Sequence, residues 1–391
     1  MTGRDRMLAV FEGRKPDRVP VTLFIVDQGH FLNQCFPDTE ATDFRALQLQ
    51  QIELQRKFGC DLLIRLLFDV NDPLHTAGGG LDVTTNTDNW VVENTEYKNG
   101  NTTITHSRIS TPDGVLEQES SVYELRPGTL MYGITKKAIK SEKDLDIAIR
   151  YEPKMRAENF AAVKEKISFV KEAVGDDGIT GVWAPPPPFN NAAGLVEDEE
   201  IYSVFLTDEA FYAKLMNFCI ERASSYTEAI LAAEPDVLHI GGNVAGGFIG
   251  RRNYENYILP YERRYIEYCQ HTGIPAIYHN CGEVMNLVES YKGLGVKAVE
   301  PFSPAPLGDA ELDRVCEIVG DAFVILAGVD QVNILQKGTP EQVKAATRKT
   351  VETGKNSGCG FIIQSADLLE YGTPFENIEA FVETAKEYGV Y

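Results

Sequence analysis

The amino-acid sequence predicts one domain over residues 1–391, built as an α/β (β/α)8 TIM barrel. Eight short apolar runs alternate with longer amphipathic segments, an alternation typical of parallel sheets whose strands are connected by helices. Eight such units suffice to close a barrel. No GxGxxG or GxxxxGK[ST] motif stands at a strand-to-helix turn, so nothing favours a dinucleotide or P-loop site. An open, doubly wound sheet is the alternative architecture.

The predicted elements follow in chain order. The first strand covers residues 19–26, after an amphipathic stretch at 4–12, and the second covers 61–68, after a helix at 41–57. Both are continuous apolar runs, as expected of strands buried on both faces. The other six predicted strands are residues 178–183, 235–240, 275–278, 296–299, 323–327 and 360–364. Predicted helices between them include residues 141–149, 157–174, 208–233 and 255–273.

A segment of different composition, residues 81–135, interrupts this alternation after the second strand. It is rich in Thr, Val, Asn and Gly, and its polar residues alternate with β-branched ones. Asn99-Gly100 and Asp113-Gly114 are typical turn dipeptides of β-hairpins. We therefore expect a β-rich, antiparallel insertion within the barrel domain.

Composition restricts the class of partner. The chain carries 37 Lys and Arg against 58 Asp and Glu, a formal net charge of −21, which disfavours nucleic acid and anionic membranes. No apolar run approaches the ~18–20 residues of a membrane span, and the first residues lack the apolar region of a signal peptide. Seven cysteines, an odd number, fit free thiols in a reducing compartment. We expect a cytoplasmic protein.

The ends of the predicted strands carry the candidate metal ligands. In Tyr278-His279-Asn280-Cys281-Gly282, positions i and i+2 of an extended strand end project to the same side, so His279 and Cys281 could bind one ion. Glu300 ends the next strand, about 5 Å away, and could reach the same ion. Three protein ligands with one open position are typical of catalytic zinc. The alternative is a hydrogen-bonded core histidine beside a buried thiol.

Other strand ends supply candidates for catalysis and substrate binding. Asp27 follows the first strand and Asp367 follows the last, and both are predicted catalytic groups. Asp367 could also be a fourth ligand or accept a hydrogen bond from a ligand, and a capping role in its turn is the alternative. The predicted substrate-binding residues are Trp183, Phe189, Asn243, Tyr278, Phe302 and Asp330.

Several motifs resemble the uroporphyrinogen decarboxylase superfamily, over nearly the whole chain. They are residues 4–13 and 16–20, Thr111-Pro-Asp-Gly114, Leu259-Pro-Tyr-Glu-Arg263, His279-x-Cys281-Gly282, Gly328-Val-Asp330 and Thr373-Pro-Phe-Glu-Asn377. The resemblance implies a (β/α)8 barrel. Metal-free decarboxylases of the superfamily carry an Arg-Gln-Ala-Gly-Arg segment after the first strand. The matching segment here, Val26-Asp-Gln-Gly-His30, has no arginine for substrate carboxylates.

The His-x-Cys motif and the β-rich insertion are similar to the branch of zinc-dependent methyltransferases that work with a corrinoid protein. Members that methylate thiols have a later Cys ligand where this chain has Ala366-Asp367. A carboxylate in place of a thiolate leaves a more electrophilic zinc ion, suited to polarising an ether oxygen. The resemblance thus implies zinc bound by His279, Cys281 and Glu300, and a corrinoid (cobalamin) cofactor carried by a partner protein.

These residues favour O-demethylation of a methoxylated aromatic compound. In that hypothesis Asp367 or Asp27 protonates or positions the leaving group, and the corrinoid cobalt accepts the methyl group. The alternatives are methylation of a thiol such as coenzyme M from methylcobamide, a metal-free decarboxylase-like lyase, and a binding protein that has lost the site. A homodimer is the default expectation for such a barrel.

Overall fold

The computed structural model describes residues 1–26, 31–39, 43–68, 80–126, 129–155, 157–358 and 360–391. In these ranges the strands form a seven-stranded and a four-stranded sheet. The strands are β1 (Leu62–Leu66), β2 (Val91–Asn99), β3 (Thr102–Thr111), β4 (Gly114–Arg126), β5 (Thr129–Lys136), β6 (Gly178–Trp183), β7 (Val237–Gly241), β8 (Ala276–His279), β9 (Ala298–Glu300), β10 (Val324–Val329) and β11 (Phe361–Ser365).

The α-helices begin where polar side chains cap their first turns. Asp43, Ser141, Asp208 and Thr339 each accept a hydrogen bond from a backbone N–H of the helix that follows. The helices are α1 (Gly3–Phe11), α2 (Phe31–Cys35), α3 (Phe44–Phe58), α4 (Glu142–Tyr151), α5 (Ala157–Val174), α6 (Pro188–Ala193), α7 (Asp198–Ile201), α8 (Val204–Thr207), α9 (Glu209–Leu231), α10 (Arg251–Asn253), α11 (Leu259–Cys269), α12 (Val288–Tyr291), α13 (Leu312–Val319), α14 (Pro340–Lys355) and α15 (Phe375–Gly389). Within the described ranges, none of them combines the length and apolar character that crossing a bilayer requires.

The parallel sheet has the order β1-β6-β7-β8-β9-β10-β11. Its strands are buried along nearly their whole length. Continuous apolar runs are what strands covered on both faces require, because neither face is left for polar residues. These seven strands confirm seven of the eight predicted apolar runs.

The predicted first strand pairs only at isolated positions. Val21 bridges Ile363 of β11, and Val26 bridges Arg65 of β1, both in the parallel sense. Pro20 has no backbone N–H to contribute to a ladder. The chain therefore runs between the two edge strands without a continuous ladder, and the closed eight-stranded barrel is confirmed only in part.

Helix α1 fills the amino-terminal end of the parallel sheet. Thr2 and Asp5 form a capping box that fixes the start of the helix. Met7, Val10 and Phe11 belong to one apolar cluster with the first halves of the strands. The strand members of this cluster are Leu63, Ile179, Val237, Ile277, Ala298, Val324, Leu326 and Ile362. Among the described residues, the strand-end side chains that we predicted as functional lie at the opposite, carboxyl end.

The second sheet, β2-β3-β4-β5, is an antiparallel meander, in agreement with the predicted hairpins. Gly100 between β2 and β3 has φ 63°, a conformation that favours glycine and suits the Asn-Gly turn. Trp90, Ile109 and Leu116 are at most 1% exposed and join this sheet to the main core. The assignment of the whole chain to one domain stays a prediction.

Candidate metal centre at the strand ends

Three potential metal ligands, His279, Cys281 and Asp367, come together at the carboxyl ends of the strands. One ligand atom from each lies within 4.8 Å of the others. His279 ends β8, Cys281 follows two residues later, and Asp367 follows β11. His279 is 4% exposed, whereas Cys281 and Asp367 are half-buried, so the group has one protected and one open side. Imidazole, thiolate and carboxylate are all ordinary zinc ligands.

The Glu300 side chain is fully buried at the end of β9 and lies outside this group. Its Oε1 lies 3.2 Å from Nδ1 of His279 and 3.3 Å from Nδ1 of His239. Its Oε2 accepts hydrogen bonds from Arg65 Nη2 at 2.9 Å and from Gln364 Nε2 at 3.3 Å. Both oxygens are thus engaged by protein groups. The predicted role of Glu300 as a metal ligand stays a prediction.

Two glycines lie opposite large polar residues of the barrel interior, and one of them makes room for a buried histidine ring. Gly181 is the register partner of Arg65, and Gly328 is the partner of Gln364. A Cβ atom added at Gly181 would lie 2.4 Å from Nε2 of His239, closer than real contacts allow. The interior layer of polar groups therefore depends on small residues in the neighbouring strands.

The buried charges determine the protonation of this layer. Burial alone would raise the pKa of Glu300, but Arg65 and the two histidines hold that pKa well below its usual range. Burial lowers the pKa of His239, so its ring is neutral. Burial also disfavours charge on His279, but contacts with Cys281 and Glu300 raise its pKa to about 10. In the metal-free protein the Glu300 carboxylate thus lies between two cations.

Aromatic rings enclose the protected side of the candidate ligands. The ring of Trp183, at the end of β6, lies with its centroid 5.3 Å from that of His279 and 5.1 Å from that of His239. The ring of Phe24 lies 5.5 Å from that of His279, and the Arg65 guanidinium lies 4.2 Å from the Phe24 centroid. The buried Nε1 of Trp183 has no hydrogen-bond partner among the described residues. Trp183 thus lies beside the candidate ligands, and its contact with a substrate stays a prediction.

Three other predicted substrate-binding residues have different surroundings. Phe189 is fully buried in α6 and packs on Tyr202, with ring centroids 6.0 Å apart. Tyr278 precedes His279 in β8, so its side chain leaves the opposite face of the strand and contacts the surrounding helices. Asn243 is exposed in a 3-10 turn after β7. Their contact with a substrate stays a prediction.

Phe302 and Asp330 line a cavity of about 850 Å³ beside β10, whose lining includes none of the three candidate ligands. Phe302 is 3% exposed. Asp330 caps the π-helical turn that follows it, since its Oδ1 accepts from the backbone N–H groups of Val332 at 2.8 Å and Asn333 at 2.7 Å. Their predicted substrate contacts also stay predictions. The predicted catalytic residue Asp27 lies outside the described residues.

A buried polar cluster supports the strand that carries His279. Glu262 Oε2 accepts hydrogen bonds from the hydroxyl groups of Tyr278 at 2.8 Å and Tyr254 at 3.2 Å. Burial raises the pKa of Glu262 to about 8, and the two tyrosine hydrogen bonds oppose that shift. Asn280 Nδ2 donates to the hydroxyl oxygen of Tyr291 at 2.7 Å. These contacts hold the backbone on either side of His279.

Sequence reasoning missed Arg65 and Gln364, which contact Glu300, and the cluster around Glu262. Arg65 had a detectable signal, because it is the one charged residue within the run Leu62–Phe68. A buried arginine needs a counter-ion or several acceptors, so its presence there predicts an interior carboxylate. Glu262 lies in an amphipathic helix with several surface acids, and no local pattern separates it from them.

Comparison with known proteins agrees with the resemblance. Residues 129–388 match the family described as Uroporphyrinogen decarboxylase (URO-D). A protein from Methanosarcina mazei named "Methylcobamide:CoM methyltransferase MtbA" is 25% identical over 296 residues, 74% of this chain and 82% of the relative. The protein of the same name from Methanosarcina acetivorans shows the same identity and coverage, 25%, 74% and 82%. A solved structure described as a methyltransferase from Methanosarcina mazei covers 99% of both chains, with TM-score 0.70 and 16% identity, and shows the same fold. The names of these proteins agree with the expected enzyme class, a methyltransferase.

Proposed function

This chain belongs to the uroporphyrinogen decarboxylase (URO-D) family, and on that premise we propose that it is a methyltransferase that transfers a methyl group from methylcobamide to a thiol. The observation that carries the proposal is the meeting of His279, Cys281 and Asp367 at the strand ends. The relatives named methylcobamide:CoM methyltransferases support thiol methylation over the O-demethylation that the sequence analysis favoured. In this proposal the corrinoid is the methyl donor, free or carried by a partner protein.

The donor set fits zinc. Nitrogen, sulfur and oxygen donors of this kind are those that zinc takes in proteins, and three protein ligands leave a position for a reactant. His279, Cys281 and Asp367 would hold the ion. Bound there, zinc would supply Lewis acidity that favours the thiolate form of a sulfur acceptor.

The protein groups around the ligands have separate tasks in this reaction. Trp183 and Phe24 cover the ring of His279 and keep water from the protected side. The half-buried Cys281 and Asp367 leave the other side open, where the acceptor enters and its thiol proton departs to solvent. In the transfer a carbon–sulfur bond forms and the cobalt–carbon bond of the donor breaks, with its electron pair remaining on cobalt.

Asp367 favours a second candidate, demethylation of a methoxylated aromatic compound. A carboxylate donates less charge to a metal than a thiolate does, so the ion is a stronger Lewis acid toward an ether oxygen. The ring of Trp183 beside His279 offers an aromatic substrate a stacking surface. The two candidates use the same ligands and differ in the methyl donor.

The first experiment measures the metal content of the purified protein beside the variants Cys281→Ser and Cys35→Ser. Cys35 is also a half-buried free cysteine, and its variant is the matched control. We expect about one zinc per chain, lost in Cys281→Ser and retained in Cys35→Ser. Absence of metal from the wild type after incubation with zinc contradicts the proposal.

A second experiment identifies the reaction. The zinc-loaded protein is given methylcobalamin with a thiol such as coenzyme M, or a methoxylated aromatic compound with Co(I) cobalamin. We expect methyl transfer to the thiol and its loss in His279→Ala. Turnover of the ether alone favours the second candidate, and release of CO2 from a polycarboxylate in the presence of chelator identifies a decarboxylase instead.

A further inference from the structure

The geometry points to Arg65 as a positioning residue of the metal centre. Through the carboxylate of Glu300 it holds the ring of His279 by Nδ1 and leaves Nε2 for the ion. Arg65 also keeps Glu300 itself from becoming a ligand. This inference rests on the proposed metal centre and assigns the inner contacts that orient its histidine.

The first support is the confinement of Arg65. Its side chain is fully buried, and its Nη2 donates to Glu300 Oε2 at 2.9 Å and to Gln364 Oε1 at 2.6 Å. Its guanidinium lies over the ring of Phe24, 4.2 Å from the ring centroid. The cation therefore has one position in the barrel, and the carboxylate paired with it is equally fixed.

The second support is the use of both oxygens of Glu300. Oε2 is taken by Arg65 and Gln364, and Oε1 lies within 3.3 Å of Nδ1 of both histidines. Oε1 could bind a metal ion only by giving up both histidine contacts, and Oε2 only by leaving Arg65. Glu300 accordingly lies outside the group formed by the three candidate ligands.

The third support is the chemistry of a histidine ligand. A ring nitrogen binds a metal only without its proton, so the proton of the neutral ring must lie on the other nitrogen and needs an acceptor there. For His279 that acceptor is Oε1 of Glu300. Arg65 holds Glu300 in place through its hydrogen bond to Oε2, so the acceptor is present before the ion arrives.

The test follows cobalt(II) binding, which reports ligand identity through visible ligand-field bands, in wild type, Glu300→Gln, Arg65→Met and Arg222→Met. Arg222 is a matched control, because it is 6% exposed and pairs with Glu152 at 2.9 Å in another part of the core. In Glu300→Gln we expect unchanged band positions and cobalt affinity lower by about 10–100-fold, the usual effect of losing a partner of a histidine ligand. In Arg65→Met we expect weaker, shifted bands, because the released carboxylate joins the ion. Arg222→Met should alter neither bands nor affinity.

The possible outcomes are distinct. If Glu300→Gln shifts the bands as strongly as Cys281→Ser does, Glu300 is a ligand and the positioning role is wrong, while the proposed metal centre stands. Wild-type affinity in Glu300→Gln also overturns the positioning role. If the wild type binds no cobalt, the proposed function fails and this inference fails with it. If Arg65→Met does not fold, Arg65→Lys replaces it. In that case a lower cobalt affinity with unchanged band positions in Glu300→Gln still supports the inference.

Discussion

Replacing Arg65 by Met is expected to destabilise the protein by about 3–5 kcal/mol, the usual cost of removing one member of a buried ion pair. The variant removes the hydrogen bonds to Glu300 and Gln364, of 2.9 and 2.6 Å. A hydrogen bond to a charged group contributes about 1.5–3 kcal/mol, and the contact with the Phe24 ring about 0.5–2 kcal/mol. Methionine retains most of the volume of the arginine stem. The lost stability therefore comes mainly from the broken buried ion pair and not from lost packing.

A double-mutant cycle separates the pair from the packing. Arg65→Met takes one of its two cations from the Glu300 carboxylate, and Glu300→Gln leaves the buried Arg65 without its carboxylate, whereas the double variant removes both members of this pair. The double variant should therefore cost about 2–3 kcal/mol less than the sum of the single variants. The measurement is urea unfolding of the metal-free proteins, followed by fluorescence and circular dichroism with coincident transitions. Additivity within about 0.5 kcal/mol would refute the reasoning, because it would mean that the two side chains do not interact.

Three further predictions concern other parts of the molecule. Between pH 4.5 and about 8, folded Glu262 keeps a proton that the unfolded chain releases, so wild type loses stability as pH rises through this window. Glu262→Gln lacks this loss. The melting temperature of the variant minus that of wild type should therefore increase as pH rises, corresponding to a few kcal/mol of unfolding free energy. A difference that does not change with pH would contradict the raised pKa of Glu262. Trp90→Ala should cost about 3–5 kcal/mol and speed hydrogen exchange in β3 and β4, because Trp90 is fully buried at the base of the antiparallel sheet. The control Tyr97→Ala, at a residue 48% exposed, should change stability by less than about 0.5 kcal/mol. Asp367→Cys should strengthen zinc binding in competition with a chelator, since it adds a second thiolate; unchanged affinity would place Asp367 outside the ligand set.

The order of elements could be predicted from the sequence because strands covered on both faces must be apolar throughout. That rule located seven parallel strands, and the turn dipeptides located the antiparallel sheet. It could not show that the run containing Pro20 makes only isolated bridges. An extended segment completes a ladder only if its backbone N–H groups are available and the two neighbouring strands are at pairing distance. The apolar pattern of the sequence carries neither kind of information.

The site could be predicted in outline. The i, i+2 spacing of His279 and Cys281 follows from strand geometry, and their proximity is local. The same alternation indicates that Tyr278 faces away from them, as the structure shows. The contacts of Glu300 could not be predicted, because they depend on Arg65, which is 235 residues distant in the chain. The approach of Asp367 likewise depends on the turn after β11 and on the curvature of the sheet.

Helix α1 has a kinetic consequence for the proposed reaction. Its apolar side chains fill the amino-terminal end of the barrel, so both reactants must reach the candidate ligands from the carboxyl end. A thiol that binds next to the ligands lies deeper than the corrin ring that brings the methyl group. For the proposed reaction we therefore expect ordered addition, with the thiol first and methylcobamide second, and release of the spent corrinoid before the thioether. Excess corrinoid added before the thiol should accordingly inhibit turnover by blocking entry from the carboxyl end.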